Sequence, residues 1–353
     1  MNQLGQSWSE RAEQAQAALE RHYWNGDIRM YNIETPCPNG ACNTIFHYWW
    51  MAHAVEALVD GLERTGETHY SQRLSELFDG LLERNGGSWP NELYDDMEWM
   101  AIGWLRAFAV TGEEKYKKAV LELWTDIQTG WNDHMGGGIA WQKSQLDYKN
   151  TPANAPGVIL AARLYRQFGN QEDLEWAKRI YRWLKDNLVD PESGFAWDGM
   201  NRLGDGAIDK DWAFTYCQGV VIGAAHELYT ITKEAAYGED IARTSAAAIA
   251  RLVDPTSGLL PDEGPGDAGL FKGILVRYAA LAALDSSLQL QNLTELVQIN
   301  AQALWSQGRL ADNTLFGTGW GSAPEGIVQL GTQISGVILL EMAAKLEAAA
   351  EQR

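Results

Sequence analysis

Asn91-Glu-Leu-Tyr-Asp-Asp-Met-Glu-Trp-Met-Ala-Ile-Gly-Trp-Leu-Arg-Ala-Phe108 is the stretch whose reading decides the fold. Met97, Met100, Ala101, Trp104, Leu105 and Phe108 recur every three or four residues, which makes one apolar stripe of a helix. Asp95 stands where an N-cap is expected, and Glu98 follows at the capping-box position. Capping is the plain reading of Asp-Asp at a helix start. The chemical reading is a carboxylate pair for nucleophilic and acid/base work, with Asp95 and Asp96 as the candidates.

Outward from this helix the pattern repeats. Helices are predicted near residues 7–24, 45–64, 70–84, 96–110, 114–129, 153–168, 171–187, 214–231, 235–252, 268–285, 293–307 and 327–347. They alternate between two classes. One carries charge on a face, as in Glu172, Asp173, Glu175, Lys178 and Arg179. The other is apolar nearly all round, as in Gly219-Val-Val-Ile-Gly-Ala-Ala225, and a helix of that kind is buried. Each unit of about 50–60 residues is one amphipathic and one buried helix, a loose internal repeat. The reading is an all-α protein, an (α/α)6 barrel of six helical hairpins, with residues 1–353 as a single catalytic domain.

The long loops precede the buried helices and so gather at one rim. They concentrate aromatic and acidic residues, among them Trp89, Tyr94, Trp131, Trp141, Trp197, Trp212, Tyr216, Asp198, Asp205, Asp209 and Asp262, in a chain with 16 Trp. Indole faces stack on the C–H faces of sugars, and carboxylates and amides take up hydroxyls. The bland alternative is that these Trp fill joints between helices. Interleaved with Asp and Asn, the set favours a carbohydrate cleft. Trp141, after Gly136-Gly-Gly138, is the expected stacking wall, because glycines let backbone approach a ligand.

The bulk numbers narrow the partners. Hydrophobic residues are 46% and charged ones 21%, enough for a large core, and the net charge is −19. That charge argues against nucleic acid or an anionic membrane surface and suits a neutral ligand. No apolar run approaches the ~18 residues of a membrane span. Met1–Glu10 has no basic segment and no apolar core, so a cytoplasmic location is expected, or secretion if a signal has been removed. Cys37 and Cys42 flank a Pro-Asn-Gly-Ala turn and can close a local disulfide, while Cys217 reads as a small buried hydrophobe. The six His and three Cys show no zinc spacing, so neither a metal nor another cofactor is expected, and the chain is expected to act as a monomer.

Carboxyl groups on neighbouring residues at a helix start can approach to roughly 5–6 Å, the short spacing of retaining glycosidases. So close, they do not both ionise easily; one pKa rises, and the helix N-terminus keeps the other ionised.

The residues also resemble a known family, the bacterial α-1,6-mannanases of glycoside hydrolase family 76. The resemblance rests on Phe46-His-Tyr-Trp-Trp50, Tyr94-Asp-Asp-Met-Glu-Trp99, Gly136-Gly-Gly-Ile-Ala-Trp141, Tyr148-Lys-Asn-Thr-Pro-Ala-Asn-Ala-Pro156, Thr215-Tyr-Cys-Gln-Gly219 and Phe271-Lys-Gly-Ile-Leu-Val-Arg-Tyr278, in that order. It implies an (α/α)6 barrel and endo-hydrolysis of α-1,6-mannan with retention, Asp95 acting as nucleophile and Asp96 as acid/base. It also implies a cleft lined by Trp141, Asn154, Tyr216, Gln218 and Lys272, to which the rim residues Tyr94, Asp198 and Asp262 are added as substrate-binding candidates. The chain departs from the pattern at Cys217, where Asn is expected, and at Ala140, where a second aromatic is common.

Rival readings are weaker. An isoprenoid synthase needs a third acid where Trp99 stands, and basic residues for a diphosphate are sparse. An (α/α)6 glycosidase or sugar epimerase on another glycan fits the same rim. A non-catalytic glycan-binding protein would not need both Asp95 and Asp96.

Overall fold

The computed structural model describes residues 5–38, 40 and 42–352. Among them are twelve α-helices: α1 (Trp8–Tyr23), α2 (Tyr48–Thr65), α3 (Thr68–Arg84), α4 (Tyr94–Thr111), α5 (Glu114–Gln128), α6 (Ala155–Phe168), α7 (Gln171–Leu188), α8 (Thr215–Thr232), α9 (Ala235–Leu252), α10 (Ala268–Leu284), α11 (Gln291–Ser306) and α12 (Leu330–Glu351). Every predicted helix is present, with ends within a few residues.

The chain forms two compact units, residues 87–252 and residues 1–86 with 253–353. In the first, α4 packs on α6 and α6 on α8, while α5, α7 and α9 each lie against the helix they follow. Helices α4, α6 and α8 are buried over most of their surface; α5, α7 and α9 bury one face. In the second unit α12 packs on α2 and α10, with α1, α3 and α11 outside them, so the first helix pairs with the last. The alternation read from composition is therefore the alternation of inner and outer helices.

The inner helices are less purely apolar than their sequences suggest. Arg277 of α10 holds Asp60 of α2 through two hydrogen bonds of 2.9 and 2.6 Å, and both are fully buried. Buried charge of this kind persists only when paired. Cys37 and Cys42 are joined as a disulfide, in a turn whose Asn39 and Ala41 lie outside the described residues. Cys217 is free and buried, as expected.

The start of α4 corrects one expectation. The N-cap is Leu93, with no side-chain cap, and Asp95 is already inside the first turn. Asn91 turns the chain earlier by accepting the Leu93 N–H at 2.7 Å, and the first helical bond is Met97 N–H to Leu93 O. Asp95 and Glu98 therefore form no capping box, and Glu98 points into the interior with 0% exposure. The long rim loops also hold short strands. In the first unit Ala140–Gln142, Gln145–Asn150 and Gly199–Met200 make a three-stranded antiparallel sheet.

Candidate active site

Leu93, which sets the start of α4, is bridged to Gln142 of the sheet. The first turn of the helix is thereby pinned beside the strand that carries Trp141. Asp95 keeps partial solvent access. Its Oδ1 accepts the Asp96 N–H at 2.9 Å and its Oδ2 the Trp141 indole N–H at 3.2 Å. Asp96 is 7% exposed, with Asn91 Nδ2 at 3.5 Å from its Oδ2.

Burial pushes the Asp95 pKa up to about 7, and the charge of Asp198 adds to the rise; the Asp96 N–H and the Trp141 indole pull it back. The sequence led us to expect that the helix N-terminus would keep this carboxylate readily ionised. Desolvation outweighs it.

Asp198 is 4% exposed and enclosed by donors. Its Oδ1 accepts the Tyr216 hydroxyl at 3.0 Å and lies 3.6 Å from Cys217 Sγ, and its Oδ2 accepts the Tyr148 hydroxyl at 3.3 Å. Tyr148 also meets the Trp141 ring edge to face, centroids 5.7 Å apart. Asp95, Trp141, Tyr148, Asp198 and Tyr216 thus form one connected polar–aromatic cluster. Tyr148 was quoted in the sequence pattern but not selected as a site residue. Its place in a six-residue strand, Gln145–Asn150, with Lys149 and Asn150 also buried, is what brings it in.

Other candidates have internal duties. Asn154 is fully buried; its amide donates to Ile139 O and Asn150 O and accepts the Ile139 N–H. Gln218, also fully buried, exchanges two bonds with the Ala196 backbone and donates to Phe214 O. Through these bonds the two amides fasten the rim strands to the starts of α6 and α8. Tyr94 is 3% exposed, its hydroxyl 3.2 Å from Thr129 Oγ1. Lys272 and Asp262 lie in the other unit. There the buried Lys272 ammonium donates to Thr318 O and stands over the Trp320 ring, burial lowering its pKa to about 8, and Asp262 accepts the Thr318 hydroxyl at 3.0 Å.

The glycine run has a different reason from the one expected. A Cβ on Gly138, where φ is +81°, would stand 2.8 Å from three ring atoms of Trp183, and one on Gly137 2.8 Å from Trp131. The close approach is to these indoles. Fully buried Lys149 clamps the same loop, its ammonium donating to Asn132 Oδ1 and Gly138 O, each at 2.8 Å. Among the described residues no group of three or more His, Cys, Asp or Glu is placed to hold a metal ion.

The family model described as glycosyl hydrolase family 76 matches residues 7–352. The chain belongs to glycoside hydrolase family 76. It carries the family's fold, the (α/α)6 barrel. The α-1,6-mannanase GH76A from Salegentibacter sp. HEL1_6 is similar over 96% of this chain and 100% of its own, at 41% identity and a TM-score of 0.91. An inactive variant of that enzyme, with two consecutive aspartates changed to asparagine, is known in complex with α-1,6-mannotriose. The Saccharomyces cerevisiae mannan endo-1,6-alpha-mannosidase DFG5 is 30% identical over 207 residues, covering 53% of this chain and 45% of its own length. The chain thus spans less than half the length of that yeast relative. Family 76 is a family of glycoside hydrolases.

Proposed function

We propose that the protein is an endo-acting α-1,6-mannanase that works with retention, Asp95 as nucleophile and Asp96 as acid/base, and that both units together form its catalytic domain. The observation that carries the reading is the carboxylate pair in the first turn of α4. Asp95-Asp96 is the only Asp-Asp in the sequence, and Asp95 is held toward the sheet by Trp141. The relative made inactive at two consecutive aspartates, and bound to α-1,6-mannotriose, supports it.

Adjacent side chains in one helical turn can stand ~5–5.5 Å apart but not easily the ~6.5–9.5 Å that inversion needs for an intervening water. Ionised Asp95 attacks the anomeric carbon while Asp96 protonates the leaving oxygen. Esterification removes the Asp95 charge and with it a repulsion that opposed ionisation of Asp96, which then takes a proton from the incoming water. The Trp141 N–H holds the attacking carboxylate in one rotamer. Asp198, with its three donors, braces Tyr148 and Tyr216 beside it.

The test is a product profile on linear α-1,6-mannan beside branched mannan and unrelated glucans, run also with Asp95→Asn and Asp96→Asn. Oligosaccharides of several lengths appearing early, from the linear mannan, and losses of several orders of magnitude in both variants are expected. Cleavage of a glucan instead, or wild-type turnover in both variants, would overturn the reading.

A further inference from the structure

Glu98 lies one helical turn beyond Asp95 on α4 and is 0% exposed. Neither of its carboxyl oxygens has a hydrogen-bond partner, and it makes no ion pair among the described residues. The group turned toward it from α6 is the Gly157 N–H. Gly157 is in the first turn of α6, where N–H groups lack helical acceptors. A Cβ there would stand 3.1 Å from Glu98 Oε1 and 3.1 Å from Ile139 Cδ1, so the glycine leaves the carboxyl group its space.

The charges around this space are few. On α4 they are Asp95 and Asp96. The start of α6, Ala155-Pro-Gly157, carries none. From the sheet, the Lys149 ammonium is taken by Asn132 and Gly138. Asp198 is taken by Tyr148, Tyr216 and Cys217. Asp95 is the charge that acts on Glu98; with burial, it pushes the Glu98 pKa well above the usual carboxylate range. An ionised carboxylate with no cation and no full hydrogen bond is among the costliest groups to bury, and taking up a proton removes that cost.

We propose that Glu98 is a positioning residue for the reaction, a neutral carboxylic acid that fills the space between α4 and the start of α6 one turn from Asp95. The proposal rests on the reading of Asp95 as nucleophile. A second negative charge one turn away would oppose the ionisation of Asp95, and a neutral acid does not. The same group keeps the first turns of two inner helices in register, and with them Asp95 on α4 and the sheet that Asn154 ties to α6.

Infrared spectroscopy of the substrate-free enzyme at pH 8, with Glu98→Gln as the subtraction, reads the proton directly. A protonated-carboxyl C=O band that Glu98→Gln removes is expected; loss of a carboxylate band in its place overturns the proposal. Asp95→Asn should lower the pH at which that band titrates by ~1 unit or more, because a like charge is gone. An unmoved midpoint overturns the coupling.

In kinetics, Glu98→Gln should keep kcat within about threefold and leave the acid limb of kcat/KM in place, since it swaps one neutral group for another of the same shape. Glu98→Ala, shown folded by circular dichroism, should lose about tenfold or more in kcat with little change in KM. A downward shift of the acid limb in Glu98→Gln, or wild-type kcat in Glu98→Ala, overturns the proposal. If the alanine variant does not fold, the infrared bands and the glutamine variant decide. The infrared readings need no substrate, so they stand apart from any failure of the mannanase reading.

Discussion

Trp141→Phe separates two roles that one side chain combines. Phenylalanine keeps an aromatic face for a sugar but removes the indole N–H that meets Asp95 Oδ2 at 3.2 Å. A hydrogen bond to a charged group contributes about 1.5–3 kcal/mol. It favours the ionised form of Asp95, so its loss raises the pKa. At about 1.4 kcal/mol per unit the rise is ~1–2 units, and partial exposure of Asp95 holds it nearer one. Asp95 already sits at about 7, and its ionised form is the nucleophile of the proposed mechanism. The acid limb of kcat/KM therefore moves to higher pH by about one unit, activity at pH 6 falls roughly tenfold, and activity at pH 9 changes far less. The assay is kcat/KM on linear α-1,6-mannan from pH 5 to 9. A raised KM at every pH with the acid limb unmoved would mean that stacking alone is at work. A limb that moves to lower pH would refute the electrostatic argument.

Three further outcomes follow from the same geometry. The pKa of Asp95 is raised in the folded state, from 3.8 to about 7, so its contribution to stability is present below pH 4 and lost as pH rises through 7; Asp95→Asn should flatten that decline and be more stable than wild type at pH 8 by up to ~4 kcal/mol, less in proportion to solvent access, as read by denaturant unfolding at pH 5 and 8. Gly138→Ala meets both a left-handed backbone and the Trp183 ring at 2.8 Å, and should cost roughly 2–4 kcal/mol; a neutral result in the same unfolding assay would show that the loop yields. Lys149→Met takes the ammonium from Asn132 Oδ1 and Gly138 O, leaving them only the His134 N–H and a long bond from the Asn132 N–H, and a loss of about 1–3 kcal/mol with a reduced kcat is expected, unchanged values of both arguing against a clamp.

The helical architecture was legible because burial on all sides leaves a plain signature. The run Gly219–Ala225 in α8 has no polar face to mistake. What the sequence concealed were side-chain partners. An amide such as Asn154 or Gln218 beside a rim loop reads the same whether it meets a sugar hydroxyl or a backbone group, and the structure gives both to the backbone. Gly137 and Gly138 signal a close approach without saying to what, and the answer is Trp131 and Trp183. Asp95 was placed two positions early relative to the helix, at the N-cap that Leu93 fills, because the turn is made by the Asn91 side chain, which a capping pattern does not register. The pair itself stood out in the sequence as a candidate for chemistry, since two adjacent acids at the head of a buried helix are costly unless used. Its tether to Trp141 was not, because 46 residues separate donor and acceptor.

Proton NMR of the first products from linear α-1,6-mannan tests the central claim most directly. The α-anomer of the new reducing end should appear before mutarotation, with the signal lost in Asp95→Asn and Asp96→Asn alike. An initial β-anomer would mean inversion, with a base other than this pair, and would contradict the account.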